Sequence, residues 1–272
     1  MRIDTLKSTE AASGLTSPAL PASFRGGSTQ THPRTRLAIR FEDRIKRFLP
    51  AGFYYPRKIA KEAKKHEPEL GVLNNLVPAG RAAIDIGANR GYYSYALSKL
   101  ASRVEAFEPN PVLASFAAKK LEPKVRVHEV ALSHCEGRGV LYIPRTERGV
   151  SLHLLASLHR VHPSYCWDEI EVSLATLDSY RYRDVGFIKI DAEGSEMDIV
   201  DGARETILRC RPVMLIELLA GTHSDPLAHI TEIQQRFRYE ARLLANGVSV
   251  DASLAVETGV RLSTRNVLFI PR

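Results

Sequence analysis

The sequence predicts an α/β protein of the Rossmann-like type, with a mostly parallel central sheet and helices on both faces. Two observations carry this prediction. Apolar segments of strand length alternate with segments of helical periodicity, an arrangement that gives parallel strands joined by right-handed crossovers. The first such strand also ends in a glycine turn that leads directly into a helix, which is the opening unit of a nucleotide-binding sheet. At 272 residues the chain can bury a full core.

The opening unit begins with an apolar strand over residues 82–86, which carries Asp85 near its end. The turn Gly87-Ala88-Asn89-Arg90-Gly91 follows, and a helix is predicted after it from the apolar spacing of Tyr93, Ala96, Leu97 and Leu100. Glycines let a ligand approach the backbone closely, and a helix start offers unpaired N–H groups to an anionic group. A tight strand-to-helix turn with no ligand would use the same glycines, so this unit alone leaves both interpretations open.

The next unit favours a ligand. Residues 102–107 predict a second strand, and Glu108 stands at its end, 23 residues after Asp85. An acid at that distance is typically the residue that holds the hydroxyl pair of a ribose. The turn lacks the G-x-G-x-x-G pattern of dinucleotide sites, and the chain contains no G-x-x-x-x-G-K-[ST]. Asn89 takes the place of a middle glycine at little cost, because asparagine tolerates the left-handed backbone conformation.

The remaining elements follow from capping residues, turn signals and apolar runs. Helices are predicted over 111–121 with Asn110 as N-cap, after Ser195 as N-cap with Asp198 three residues on, and from Asp225-Pro226. Strands are predicted over 125–130, 140–143, 169–174, 187–190, 213–218, 239–245 with a hairpin turn at Asn246-Gly247, and 266–270. A long loop over 144–168, carrying His153, His159, His162, Tyr165 and Trp167, has no paired metal-ligand spacing and is predicted to be a lid or substrate loop.

The positive charge of the chain is confined to its N-terminal part. Residues 1–80 hold 14 lysines and arginines against 7 acidic residues, whereas residues 81–272 hold 24 of each. The net charge of +7 is therefore no sign that a catalytic cleft binds nucleic acid. We divide the chain into a disordered tail (1–33), a basic helical extension (34–68) and a folded domain (69–272).

The basic extension allows two interpretations. A basic amphipathic helix within residues 34–65 could lie on an anionic membrane surface, or it could pack its apolar stripe on the domain and leave its charges in water. The chain has three cysteines without a C-x-x-C pair, no secretory signal and no apolar run of membrane-spanning length. These features predict a cytoplasmic enzyme, peripheral at the membrane only if the basic helix binds there.

Three segments, D-I-G-A-N-R-G-Y-Y-S, F-E-P-N-P and F-I-K-I-D-A-E-G-S-E, resemble the FkbM family of class I S-adenosylmethionine-dependent methyltransferases over about residues 69–270. The resemblance implies a seven-stranded sheet with one reversed strand, and S-adenosyl-L-methionine as cofactor. It also implies a hydroxyl acceptor on a sugar, a glycolipid or a secondary metabolite. The cofactor-binding residues that we predict are Asp85, Gly87, Ala88, Asn89, Gly91, Tyr92, Tyr93, Ser94, Glu108, Pro109, Asn110, Val130, Ala131 and Asp191.

Catalytic residues are predicted at the end of the fourth strand of this fold. A hydroxyl acceptor must lose its proton in or near the transition state, so a base is useful. Asp191 is the predicted base, Glu193 is the next candidate, and Lys189 shares the face of Asp191 and would keep it ionised. The alternative is that Lys189, Asp191 and Glu196 only brace the turn. A magnesium ion on Asp191, Glu193 and Glu217 is a further interpretation, although we predict no metal.

Other activities fit the sequence less well. Methylation of exocyclic amines in nucleic acid typically uses a D/N-P-P-Y run where this chain has D-A-E-G, and pyrimidine C5 methylation needs a cysteine there, whereas Cys210 lies beyond the following helix. A nucleic-acid acceptor is therefore disfavoured, and an NAD-dependent oxidoreductase would need the missing glycine pattern. The alternatives that remain are a methyltransferase for nucleic acid or protein, and a non-catalytic protein that binds a membrane or a polyanion.

Overall fold

The computed structural model of the chain describes residues 50–65, 67–146, 149, 151–160, 166–218, 225–245, 248–253 and 265–272. The predicted tail (1–33) and most of the predicted basic helix lie outside these residues. Within the described part, no helix is both long enough and apolar enough to cross a bilayer.

The described elements alternate between strands and helices, as predicted. The strands are β1 (Ala82–Ile86), β2 (Val104–Phe107), β3 (Val125–His128), β4 (Ala131–Leu132), β5 (Gly137–Arg145), β6 (Cys166–Ala175), β7 (Val185–Ile190), β8 (Val213–Glu217), β9 (Tyr239–Ala245), β10 (Val248–Asp251) and β11 (Asn266–Pro271). The helices are α1 (Ala51–Lys65), α2 (Leu73–Leu76), α3 (Tyr92–Ser98), α4 (Pro111–Lys120), α5 (Glu196–Gly202), α6 (Arg204–Cys210) and α7 (Pro226–Phe237). Asn110 caps α4 and Asp225 caps α7, each accepting a backbone N–H, which confirms both predicted helix starts.

The central sheet has eight strands in the order β10-β9-β11-β8-β7-β1-β2-β3. The expected number of seven is therefore wrong by one strand, and two strands rather than one are reversed, namely β11 and β10. The extra strand comes from the predicted hairpin, because β10 folds back on β9 and pairs Val248 with Ala245. The turn residues Asn246 and Gly247 lie outside the described part.

A second, three-stranded sheet in the order β4-β6-β5 departs from the prediction. The predicted third strand over 125–130 ends in the central sheet at His128, and Ala131–Leu132 pairs instead with β6. β5 and β6 form one continuous antiparallel ladder from Gly137 opposite Leu174 to Arg145 opposite Cys166. Both strands therefore extend into the predicted loop over 144–168.

The two faces of the central sheet carry separate apolar cores, as alternation along each strand requires. On β1, Ile84 packs into the core covered by α5, α6 and α7, whereas Ala83 packs into the core covered by α2 and α3. The same division separates Ile188 from Phe187 on β7. The helices thus cover both faces, as predicted for a Rossmann-like fold.

The N-terminal helix α1 belongs to the same compact unit as the sheet, which spans residues 46–272. Tyr54 and Tyr55 of α1 are buried, and the Tyr55 ring stacks on Tyr95 of α3 at 4.7 Å between centroids. The Tyr55 hydroxyl also donates to the carbonyl oxygen of Arg90 at 2.9 Å. The described part of the basic extension therefore packs on the domain through its aromatic residues.

Candidate active site

A cavity of about 340 Å³ lies at the carboxyl ends of β1, β2 and β7. Most of the predicted site residues line it, namely Asp85, Gly87, Ala88, Asn89, Tyr92, Tyr93, Glu108, Pro109, Val130, Ala131, Lys189, Asp191 and Glu193. The predicted residues Gly91, Ser94 and Asn110 are not among the lining residues, but they contact residues that are. Gly91 and Asn110 contribute to the two turns, and Ser94 hydrogen-bonds to Asp85.

The glycine turn has the conformation that its sequence predicted. Gly87, Asn89 and Gly91 all have positive φ angles, of 74°, 53° and 81°. A side chain at Gly87 would also collide with the backbone carbonyl oxygen of Asp191, because the ends of β1 and β7 approach each other closely there. Glycine at position 87 is therefore required both by the turn and by the contact with β7.

Asp85 is buried at the end of β1, and the hydroxyl of Ser94 at the start of α3 donates to its Oδ2 at 2.5 Å. Burial raises the pKa of Asp85 to about 6, and the hydrogen bond from Ser94 and the charge of Lys189 oppose that rise. Asp85 thus connects β1 to α3 through a buried hydrogen bond.

Glu108 connects the turn after β1 to the turn after β2 through two hydrogen bonds. Its Oε2 accepts the backbone N–H of Asn89 at 2.7 Å, and its Oε1 accepts the backbone N–H of Asn110 at 2.9 Å. Burial raises its pKa to about 7, against the effect of these two hydrogen bonds. The carboxylate lines the cavity and retains lone pairs beyond the two that these bonds use.

Lys189 supplies a buried positive charge at the end of β7, where its side chain is 1% exposed. Its Nζ lies 2.9 Å from Oδ1 of Asn266 on β11 and 3.5 Å from Oδ2 of Asp191. Asn266 in turn donates to Glu69 at 3.4 Å. Sequence patterns did not single out Asn266 or Glu69, because their link to Lys189 exists only once the sheet is assembled.

Three carboxyl groups around Lys189 differ in their affinity for protons. Burial acts to raise the pKa of Asp191, but the charge of Lys189 and the hydrogen bonds from Glu217 and Lys189 together hold the pKa below its ordinary value. Burial and the neighbouring Asp191 raise the pKa of Glu217 to about 10, and the two side chains are hydrogen-bonded. Burial, Asp191 and Glu196 raise the pKa of Glu193 to about 7. At neutral pH the site thus holds an ionised Asp191, a protonated Glu217 and a half-titrated Glu193.

The turn after β7 is held by Glu196, not by the predicted cap. The side chain of Ser195 makes no capping hydrogen bond. Glu196 instead accepts the backbone N–H groups of Ala192 and Gly194 at 2.8 and 2.9 Å, because its longer side chain reaches back over the turn. Glu196 thus braces the turn after β7, next to the pair of Lys189 and Asp191.

The N-terminal segment, which sequence reasoning left out of the site, and the predicted lid or substrate loop also line the cavity. The N-terminal segment contributes Lys58, Glu62, Glu67 and Leu70, and the predicted loop contributes His153, Leu154, Ala156, Ser157 and Leu158. Ser157 is buried, and its hydroxyl donates to the backbone carbonyl of Glu193 at 2.7 Å. The described part of the loop thereby contacts the turn after β7, whereas His162 and Tyr165 lie outside the described residues.

Carboxylate oxygens of Asp191, Glu193 and Glu217 lie within 4.8 Å of one another, a spacing that a metal ion could bridge. The Lys189 ammonium already supplies a positive charge beside Asp191. The same three acids therefore have an electrostatic partner within the protein.

Several solved structures are similar to this chain at low sequence identity. Methyltransferase FkbM from Methylobacillus flagellatus KT is 18% identical, with 70% of this chain and 43% of that chain covered and a TM-score of 0.46. An rRNA methylase from Streptococcus thermophilus is 10% identical over 75% of this chain and 92% of that chain, with a TM-score of 0.41. A putative methyltransferase from Streptococcus mutans, in complex with SAH, is 14% identical over 75% and 94%, with a TM-score of 0.43.

These similarities are too weak to carry a functional conclusion, and no curated protein matches the chain by sequence. The sequence profile of the methyltransferase FkbM domain, in contrast, matches residues 85–241, more than half of the chain. The match begins at Asp85 and includes the glycine turn, Glu108 and the turn after β7. The chain therefore belongs to the FkbM methyltransferase domain family and is a methyltransferase with S-adenosylmethionine as its methyl donor.

Proposed function

We propose that the protein is an O-methyltransferase that acts on a hydroxyl group of a sugar, a glycolipid or a secondary metabolite, with Glu193 as the general base. The cofactor supplies a methyl group on a positively charged sulfur, so the protein has to orient the acceptor and remove its proton. The observation that carries the proposal is a cavity-lining carboxyl group, Glu193, whose pKa of about 7 is suited to proton transfer at neutral pH.

The cavity suits a cofactor that carries positive charge. Its lining includes six carboxyl groups, against three lysine and arginine side chains. We assign the ribose hydroxyls to Glu108, whose carboxylate still has free lone pairs, and the adenine to the wall formed by Val130 and Ala131. The glycine turn and Asp191 complete the predicted cofactor site.

Glu193 is the stronger candidate for the base than Asp191, which the sequence had favoured. Asp191 is kept ionised by Lys189 and accepts a hydrogen bond from Glu217, and both interactions weaken it as a proton acceptor. Glu193 is placed by the hydrogen bond from Ser157 to its backbone, in a left-handed conformation with φ of 49°. We therefore assign the base to Glu193 and a charge-positioning role to the pair of Lys189 and Asp191.

The rest of the acceptor would lie against the second sheet and the loop. Leu141 of β5 lines the cavity together with Leu154, Ala156 and Leu158 of the loop. This apolar wall suits the carbon skeleton of a metabolite or the lipid part of a glycolipid, next to the hydroxyl that faces Glu193.

A panel assay with S-[methyl-³H]adenosylmethionine tests the acceptor class. The panel contains p-nitrophenyl glycosides, alkyl glycosides, phenolic metabolites, total RNA and an unmodified protein mixture. We expect label only in hydroxyl compounds, as an ether that survives mild alkali, and at least about 100-fold less label with Glu193→Gln. Label in RNA or protein alone would contradict the proposal, as would undiminished labelling by the folded variant.

A further inference from the structure

Glu67 is a partly buried acid that the proposed mechanism does not use. It lies between α1 and the short helical turn Pro68–Gly71, and it lines the cavity. Its Oε2 and the Tyr93 hydroxyl are buried and lie beside each other, and neither atom has a further hydrogen-bond partner among the described residues. Burial raises the pKa of Glu67, while Lys189 and Tyr93 act in the opposite direction.

A buried carboxyl group in a protein is normally matched by a cation or by several hydrogen bonds. The nearest buried cation is Lys189, but its described contacts are the carbonyl of Ile190, Asn266 and Asp191, and none is with Glu67. Among the described residues Glu67 forms no ion pair. A cationic group of the bound ligand would match this charge.

The position of Glu67 indicates which part of the ligand that is. The groups that influence its charge are Lys189, Tyr93, Asp191 and Glu69, at the end of the cavity near β7. Glu108, assigned to the ribose, lies at the opposite end, beside β2. The amino-acid end of the cofactor extends from the sulfur away from the ribose, so it points toward Glu67 and Tyr93 when the reacting sulfur faces Glu193.

We infer that Glu67 is a specificity residue that binds the α-ammonium group of the cofactor's amino-acid end, with the Tyr93 hydroxyl beside it. This inference rests on the cofactor site assigned above. It gives the segment after α1 a direct part in ligand recognition, because Glu67 adds a carboxyl group from outside the methyltransferase motifs to the cavity lining.

Calorimetric titration with three uncharged-sulfur ligands tests this assignment. S-adenosylhomocysteine carries both ammonium and carboxylate, 5′-(3-aminopropylthio)-5′-deoxyadenosine carries only the ammonium, and 5′-methylthioadenosine carries neither. We expect Glu67→Gln to weaken binding of the first two by roughly 10- to 100-fold and to leave the third within about twofold. Glu67→Asp keeps the charge and should recover part of the loss for the same two ligands.

The matched control is Glu122→Gln, which removes a carboxylate that pairs with Lys99 at the surface. It should leave all three dissociation constants unchanged. An equal loss for all three ligands with Glu67→Gln, or no loss at all, would overturn the ammonium assignment while leaving the cofactor site intact. Failure of the wild-type protein to bind S-adenosylhomocysteine would instead contradict the cofactor site itself.

Discussion

The two sides of the cavity are built on different physical principles. On the β1–β2 side, polar groups are satisfied by the protein: Glu108 accepts two backbone N–H groups, and Asp85 accepts the Ser94 hydroxyl. On the β7–β8 side, three carboxyl groups lie near the Lys189 ammonium, and their pKa values differ. The first arrangement holds the turns after β1 and β2 in place, whereas the second gives neighbouring carboxyl groups different pKa values.

This difference assigns the two sides to different steps. A side whose hydrogen bonds are already made suits binding, because little has to be ordered when a ligand arrives. A side with one ionised, one protonated and one half-titrated carboxyl group suits proton transfer. Changes on the β1–β2 side should therefore alter affinity, and changes on the β7–β8 side should alter turnover.

The largest effect is expected where the two sides meet, at Gly87. Gly87→Ala places a methyl group against the Asp191 carbonyl, and neither backbone can move without disturbing a strand. We expect the free energy of unfolding to fall by about 3 kcal/mol or more in urea denaturation. Gly80→Ala is the matched control, since Gly80 has almost the same φ of 76° but no atom within 4 Å of the added methyl group. Equal losses for the two variants would show that backbone strain, and not the contact with β7, makes glycine necessary.

Glu193→Gln should separate turnover from binding. Because it removes the proposed base and keeps the shape, kcat should fall by roughly 100-fold, while the dissociation constant for S-adenosylmethionine changes by less than about threefold. In the wild-type enzyme, kcat should rise with pH up to about 7 and then level off, since Glu193 acts only when it is deprotonated.

Asp191→Asn provides the comparison on the same side of the cavity. It removes the charge next to buried Lys189, so the free energy of unfolding should fall. Activity should fall only in step with the folded fraction. A stable Asp191→Asn protein with strongly reduced kcat, beside an active Glu193→Gln, would return the role of base to Asp191.

Glu108→Gln should affect binding instead of turnover. The amide can replace only one of the two acceptor oxygens, so the dissociation constant for S-adenosylmethionine should rise roughly tenfold. In the wild-type protein, binding should strengthen as pH rises through about 7, because only the ionised carboxylate is a full acceptor for hydroxyl groups. Glu105→Gln, on the same strand but hydrogen-bonded to His128 outside the cavity, should leave the constant unchanged. A tenfold loss with this control would assign the effect to β2 as a whole.

The smallest effect is expected from residues 1–33, which have no part in either side of the cavity as we assign it. Deleting them should leave the melting temperature within about 2 °C and cofactor affinity unchanged, because their composition predicts no apolar packing. A large fall in melting temperature would mean that these residues stabilise the fold. A large change in affinity would mean that they contribute to the cofactor site.

Much of the β1–β2 side could be predicted from sequence because its signals are local. The left-handed conformation of Asn89, the cap at Asn110 and the acid at the end of β2 all depend on neighbours within a few residues. Short-range hydrogen bonds and turn geometry determine such features, so the residues themselves indicate them. The position of Gly87 against β7 is the exception, since it depends on strand order.

The β7–β8 side could be predicted only in part. The sequence predicted Lys189, Asp191 and Glu193 and ranked Asp191 first as the base, whereas we propose Glu193, because pKa values depend on burial and on neighbours from other strands. Asn266 contacts Lys189 across 77 residues of sequence, and Glu69 contacts Asn266 across 197 residues. The segment with Glu67 likewise reaches the cavity through tertiary packing that no local pattern records, whereas the length of the loop over 144–168 had indicated a part in the site.

The account depends on a difference in pKa between the carboxyl groups near Lys189. A ¹³C NMR titration of protein labelled at glutamate Cδ measures the pKa values of two of them, Glu193 and Glu217. Glu193→Gln and Glu217→Gln identify the two resonances by their disappearance. We predict that Glu193 titrates with a midpoint near 7 and that Glu217 stays protonated up to about pH 9. Midpoints near the ordinary glutamate value of about 4.3 for both residues would contradict the account.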